Sequence, residues 1–510
     1  MTQALQPIDP LRSAGGFAFD HSYARLPERF WRRVQPTPVP APSLLELNSG
    51  LAAELGFDAA WLASAPGIAT LGGNRLPEHA LPIAMAYAGH QFGHFVPQLG
   101  DGRAILLGEH IDPHGARRDI QLKGAGPTPF SRNGDGRAAL GPVLREYLVS
   151  EAMHALGIPT TRSLAALATG EPVMREGLLP GALLVRVAAS HIRVGTFQFF
   201  AARGDMDALR LLTDHVIARH YPELAAREQP ALALLDAVIE RQAALVARWL
   251  QVGFIHGVMN TDNMTVSGET IDYGPCAFLD GYHPDTVFSA IDRHGRYAFG
   301  NQAAIAQWNL ARLAECLLPL IDGDDDAALA AATAVVESVP ARLQARWLAG
   351  MLDKLGLGGA AGEGDGPDGE ADRALVQDFL DLLQATGADY TLSFRALSAV
   401  LEGDERPLSD LLPAPERLQP WLARWRLRMA TDPGDPGTRA ARMRAENPAV
   451  IPRNHLVQAA LSAAIDHGDL GPFGALLAAL RRPFDDDRGN AAFMRPPLDS
   501  ERVTRTFCGT

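Results

Sequence analysis

The residues with the most chemical content lie between positions 256 and 274. His256-Gly-Val-Met-Asn-Thr-Asp-Asn263 is a run dense in hydrogen-bonding side chains, and Ile271-Asp-Tyr-Gly274 follows it closely. Asn263 and Asp272 offer side-chain oxygens from adjacent segments. Hard divalent cations such as Mg2+ or Mn2+ take oxygen ligands and share them with substrate phosphates. Asp262, beside Asn263, is a carboxylate able to accept a proton. An Asp/Asn-rich turn before a buried strand spells the same letters, so the case depends on what accompanies it.

A second group lies upstream. Gln98-Leu-Gly-Asp-Gly-Arg103 places Gly100, Gly102 and Arg103 in a loop where backbone amides can approach phosphate oxygens. Lys123 ends the strand pair that follows, and Glu146 is placed to hold that lysine, with Glu151 as the alternative. Asp135 and Gly136 belong to Gly134-Asp-Gly-Arg137, which caps a helix or touches a nucleotide; Arg186 and Arg193 are suited to bidentate phosphate contacts. Glycine loop, lysine, glutamate, His-x-x-x-x-x-x-Asn loop and Asp-x-Gly follow the order found in protein kinases. Val258 breaks the pattern, because it stands where kinases keep the general base and an aliphatic side chain accepts no proton. Either the chain binds nucleotide without catalysis, or the chemistry is rearranged around Asp262.

Other motifs are set aside. His90-Gln-Phe-Gly-His94 spaces two histidines like a zinc-protease helix, but Gln91 replaces the needed glutamate, and the histidines are expected to be packed structural residues. No Gly-Lys-Ser/Thr phosphate loop and no Gly-x-Ser-x-Gly elbow occurs.

These residues need elements to position them. Alternating prolines at 36, 38, 40 and 42 enforce extended chain, and residues 43–55 are patterned as a helix. Arg103–Gly108 and Arg118–Lys123 read as an antiparallel hairpin about an Asp-Pro-His-Gly turn. A helix is predicted from Pro142 to Gly157, strands over 164–187, and helices over 205–252 and again from about 301. The predicted fold class is α+β: a two-lobed protein-kinase-like fold with an N-terminal extension and an extra helical C-terminal region. The expected divisions are an extension over 1–75, an N-lobe over 76–187, a C-lobe with the catalytic loop over 188–350, a flexible acidic linker over 351–374 and a helical region with a tail over 375–510.

Composition narrows the function classes. A net charge of −13 argues against non-specific nucleic-acid or anionic-membrane binding. Three cysteines, Cys276, Cys316 and Cys508, form no disulfide framework. With no secretory signal and no apolar run of about 18 residues, the expected location is cytoplasmic.

Longer runs carry a resemblance. Tyr87-Ala-Gly-His-Gln-Phe-Gly93, Leu122-Lys-Gly-Ala-Gly-Pro-Thr-Pro-Phe-Ser-Arg132, Arg145-Glu-Tyr-Leu-Val-Ser-Glu-Ala-Met153, Gly157-Ile-Pro-Thr-Thr-Arg162 and Asn447-Pro-Ala-Val-Ile-Pro-Arg-Asn-His455 resemble the selenoprotein O (YdiU) family from about residue 15 onward. The resemblance implies a kinase-like protein adenylyltransferase that moves AMP from ATP, or in some members UMP from UTP, onto Ser, Thr or Tyr hydroxyls of proteins. It also implies a nucleotide flipped relative to kinases, so that the α-phosphate meets the acceptor. By position, Gly100, Gly102, Arg103, Lys123, Asp135, Gly136, Arg186, Arg193 and Asp272 would contact the nucleotide, and Glu146 would orient Lys123. Asp262 would accept the proton, and Asn263 and Asp272 would hold Mg2+ or Mn2+. Some members end in a redox-active motif; here Cys508 is without a neighbouring cysteine, and a reversible Cys276–Cys508 disulfide is the expectation. Replacing Asp272 by alanine is expected to remove metal-dependent nucleotide binding and leave the fold intact.

Overall fold

The computed structural model describes residues 13–358, 367–431, 434–486 and 488–507. Three stretches of chain build one antiparallel sheet. The first supplies β1 (Phe19–Asp20), β2 (Trp31–Arg33) and β3 (Ser43–Leu47). The second supplies β4 (Ile83–Met85), a separate small hairpin of β5 (Gly89–Gln91) and β6 (His94–Val96), and then β7 (Ala104–Ile111) and β8 (Arg117–Lys123). The third supplies β9 (Ala138–Ala139), β10 (Arg162–Met174) and β11 (Leu178–Ala188). The order is β2-β4-β7-β8-β11-β10-β3, with β1 against β7 and β9 against β11. The stretch expected as a separate extension therefore forms both edges of the sheet.

Side-chain alternation assigns the two faces. Ile105, Leu107, Ile120, Leu122, Leu183 and Val185 point to one face, where Phe17, Leu51, Phe57 and Leu62 cover them. Leu106 and Leu184 point the other way, into the main core. Lys123, Gln121 and Arg186 share that second parity. The sequence thus puts the polar working residues of β8 and β11 on one face.

Residues 43–55 are not the single helix predicted. Ser43–Leu47 is a strand paired with β10, and only Ser49–Glu54, helix α1, is helical. Asn48 separates them: its Oδ1 accepts the Leu51 N–H at 3.1 Å, an N-cap, and its amide donates to Glu151 at 2.6 Å. Helices α2 (Ala59–Leu62) and α3 (Ala65–Leu71) follow.

Helix α4 (Leu140–Ala155) starts two residues before Pro142 and gives way to Gly157 at φ +73°. It is buried on nearly every side, between the sheet and the late helices Asn454–His467 and Gly471–Leu480. The helical body comprises α5 (Val194–Ala201), α6 (Met206–His220), α7 (Pro230–Val252) and α8 (Gln302–Ile321), with the short pair β12 (Phe254–Ile255) and β13 (Ala277–Phe278) between α7 and α8. A further core, centred on Trp421 and Trp425, joins the later helices.

The expected linker over 351–374 is shorter than its composition implied. A helix runs to Lys354, another spans Pro367–Thr386, and residues 359–366 lie outside the described residues. Asp and Glu near a helix start favour the helix, which glycine content alone concealed. Among the described residues, no helix is long and apolar enough to cross a membrane.

Candidate active site

The β8–β11 register sets Lys123 opposite Leu184 and Gln121 opposite Arg186. Helix α4 presents Glu146 to this face. Lys123 Nζ donates to Glu146 Oε2 at 2.6 Å, and Arg186 Nε donates to Oε1 at 2.8 Å. Each carboxylate oxygen thus has its own cation. Glu151 is engaged elsewhere, with Arg162 at 2.8 Å, so Glu146 is the partner of Lys123.

Asp272 faces the same cations from the other side. Its Oδ1 accepts from Lys123 at 2.9 Å and Arg186 at 2.7 Å, and its Oδ2 accepts from Arg193 Nη1 at 3.0 Å. Burial alone would raise its pKa, but Lys123, Arg186 and Arg193 hold it well below the usual carboxylate range. Its backbone is left-handed at φ +63°. His256 supports that turn: Nε2–H donates to the Ile271 carbonyl at 2.9 Å while Nδ1 accepts the Val258 N–H at 3.4 Å. Burial lowers the pKa of this imidazole below the usual histidine value. His256 is therefore a brace.

Arg193 is tied to the loop it faces. Val194 N–H donates to Met264 O at 2.9 Å, and Val266 N–H to Ile192 O at 3.0 Å. The guanidinium lies 4.5 Å from the Tyr87 ring centroid and donates to the Asp262 carbonyl at 2.8 Å.

Asp262 is in a different environment. Its Oδ2 accepts one bond, from Gln91 Nε2 at 3.2 Å, and its Oδ1 is buried without a partner. Burial pushes its pKa up to about 6. Asn263 donates its amide N–H to the Val258 carbonyl at 2.9 Å, which leaves Oδ1 as the atom available to a cation.

Lys123, Glu146, Arg186, Arg193, Asp262, Asn263 and Asp272 line one cavity of about 870 Å3. Gly100, Gly102, Arg103, Asp135, Gly136 and Val258 line it too. Gly100 is required by shape: φ is +72° and a Cβ would strike the Phe130 ring. Asp135 sits at the rim, half-exposed and paired with Arg175 at 2.8 Å.

Several site residues were missed in the sequence. Asp101 is buried between two noted glycines and accepts the Met85 N–H at 3.1 Å. Tyr87 and Gln91 were noted only within longer runs. His90 and His94 are not both packed: His90 stands 5.1 Å from the Trp308 ring, whereas His94 is exposed on β6. A strand hairpin, not a helix, carries them, so alternation sends neighbours to opposite faces. Cys276 is buried and its thiol pushed up to about 11 by burial, conditions that disfavour oxidation. Cys508 lies outside the described residues.

A cavity lined by compensated cations, with one uncompensated carboxylate on its wall, is the equipment of a transferase. Residues 16–481 match the family described as protein adenylyltransferase SelO. The chain is 61% identical over 513 residues to the protein nucleotidyltransferase YdiU of Rhizobium johnstonii, covering all of both chains. It is 61% identical over 495 residues to that of a Bradyrhizobium species, covering 97% of this chain and 99% of the relative, and 60% identical over 495 residues to that of Rhodopseudomonas palustris. The chain belongs to the protein adenylyltransferase SelO family.

Proposed function

We propose that the chain transfers AMP from ATP onto Ser, Thr or Tyr hydroxyls of proteins and releases pyrophosphate, with UTP as a second donor to be tested. The observation that carries this reading is the placement of Asp262, with its raised pKa, in the same cavity as Arg186 and Arg193. The two arginine side chains are 2% and 4% exposed, against 14% for Lys123, so the guanidinium groups lie deepest in the cavity. The flipped nucleotide that the family resemblance implies would set its terminal phosphates at the arginines and its α-phosphate toward the acceptor and Asp262. The acceptor oxygen then bonds to Pα, the Pα–O–Pβ bond breaks, pyrophosphate leaves, and the hydroxyl proton passes to Asp262.

The remaining parts support that step. Lys123, steadied by Glu146, contributes a point charge, and Gly100, Gly102 and Arg103 border the nucleotide with Asp135 and Gly136. Asn263 Oδ1 and Asp272 would hold Mg2+ or Mn2+. They fit such an ion as hard oxygen donors: Asn263 Oδ1 is left open by its amide bond, and Asp272 would exchange one of its bonds to Lys123, Arg186 or Arg193 for the cation. When bound, the cation would stabilise charge on the phosphate oxygens.

The arrangement is read as a two-lobed kinase-like fold: a strand-rich lobe over 76–187 joined by residues 1–75, a lobe over 188–350, and a helical region over 375–510 after the 351–374 connection. Two described cysteines are free and buried, which agrees with a cytoplasmic setting.

The test uses ATP labelled at either end. Label from α-labelled ATP is expected on protein, and label from γ-labelled ATP is not. Transfer of the γ label would return the chain to phosphoryl transfer.

A further inference from the structure

We infer that Gln91 is a positioning residue for transfer: it holds the Asp262 carboxylate in its reacting orientation, as part of a hairpin clamp on the 260–263 loop. The inference rests on the reading of Asp262 as proton acceptor.

Among the described residues, the β5–β6 hairpin stands apart from the main sheet and its two strands pair with each other. Its turn is tight, with Phe92 at φ +51° and Gly93 at φ +83°. Three consecutive hairpin residues grip three consecutive loop residues. His90 N–H donates to Thr261 Oγ1 at 2.7 Å, Gln91 Nε2 to Asp262 Oδ2 at 3.2 Å, and Phe92 N–H to Asn260 Oδ1 at 3.1 Å. The outer two bonds use the hairpin backbone, so most residue types would make them. Only the middle bond depends on the side chain at its position.

A closed circuit keeps Gln91 from drifting. The Thr261 hydroxyl donates to Gln198 Oε1 at 2.6 Å, and Gln198 Nε2 donates to His90 Nδ1 at 2.8 Å. With the His90–Thr261 bond, this ring fastens hairpin, loop and α5 together. Gly89 completes the seat, because a Cβ there would lie 2.4 Å from Asp262 Oδ1. The strand passes directly under the carboxylate.

Among the described residues, Gln91 supplies the side-chain hydrogen bond that this carboxylate accepts. Without it the carboxylate loses its side-chain restraint about χ2. A cation is close by: Arg193 already bonds the Asp262 main-chain oxygen at 2.8 Å. A released carboxylate would lean toward this guanidinium and away from the position in which it takes up the proton.

Gln91→Met and Gln91→Glu keep the side chain's length; the first removes the donor and the second replaces it with an acceptor. With α-labelled ATP, kcat is expected to fall about 10- to 100-fold in both, and further in Gln91→Glu, while KM for ATP stays within about twofold. A space-filling role would leave both variants near wild type. Wild-type kcat in Gln91→Met, or loss of ATP affinity in step with kcat, overturns the inference. If Gln91→Met fails to fold, Gln91→Glu, closer in shape to the amide, carries the same test. Failure of the underlying reading shows separately, as absence of α label in the wild-type reaction.

Discussion

Asp262 and Asp272 are both largely buried, line the same cavity and sit on adjacent segments, yet their surroundings drive them apart. Burial pushes each pKa up. At Asp272 three cations outweigh it, and the carboxylate stays charged under all ordinary conditions. At Asp262 the Gln91 amide, a backbone hydrogen bond and the Arg193 charge oppose burial more weakly, burial wins, and the pKa reaches about 6. The difference teaches that role follows environment rather than residue type: a permanently charged carboxylate anchors cations, and one poised near neutrality exchanges protons.

The same substitution at the two positions should break the pair in opposite ways. Asp262→Asn is expected to lower α-label transfer by about 10²–10⁴-fold, with ATP affinity by calorimetry within about twofold of wild type. Asp272→Asn is expected to abolish metal-dependent ATP binding and to cost about 3 kcal/mol in urea unfolding, because Lys123, Arg186 and Arg193 lose a shared counter-charge. Intact stability in Asp272→Asn would show that Glu146 and Asp101 suffice to compensate the three. The expectation that Asp272→Ala leaves the fold untouched no longer stands. Alanine would add strain at φ +63°, whereas asparagine tolerates that conformation.

Stability should sharpen the contrast. A folded pKa raised above the unfolded value contributes stability that is full below pH about 4 and declines as pH rises toward 6. At pH 8 the ionised, buried Asp262 is therefore a burden of at most about 3 kcal/mol. Asp262→Asn should then raise the melting temperature at pH 8 while removing activity, and a lower Tm would contradict the assigned environment. In the wild type, single-turnover transfer should rise roughly tenfold per pH unit up to about pH 6 and level off above it. A profile flat from pH 5 to 8 would deny Asp262 a proton-transfer role.

The smallest effect concerns Cys276. In native protein at pH 8, iodoacetamide should alkylate it far more slowly than in urea, since the thiol is buried and pushed up to about 11. Rapid labelling would mean that this segment opens readily, as a Cys276–Cys508 disulfide requires; peptide mapping after oxidation reads that bond directly.

Legibility in the sequence followed the range of the forces. The β7–β8 hairpin was readable because alternation and turn residues agree locally, and Lys123 and Glu146 because strand parity and helix position converge. Residues 43–47 misled because Leu44, Leu45 and Leu47 suit either period, and pairing with β10 decides the outcome. Helix α5 went unseen: Val194, Thr196, Phe197, Phe199 and Phe200 favour strands, and packing against α6 and α8 overrides that preference. Gln91 was passed over because its run was compared with a helical metal motif, although Phe92-Gly93 between short alternating stretches is a hairpin signal. The Asp135–Arg175 pair spans 40 positions and left no local trace.

Helix α4 carries Glu146, and its far side is closed by the late helices: Gly141 lies beneath Ile465, and Tyr147 meets the Phe473 ring at 6.0 Å. During synthesis α4 therefore leaves the ribosome long before the surface that will cover it. Until residues 454–480 emerge, its apolar flank has only solvent or a chaperone for company, and neighbouring nascent chains can stick to it. Final assembly must then wait for contacts between α4 and residues about 300 positions later, which makes maturation slow. A chain stopped short of residue 454 would leave the ribosome as an aggregation-prone fragment, not as a smaller enzyme.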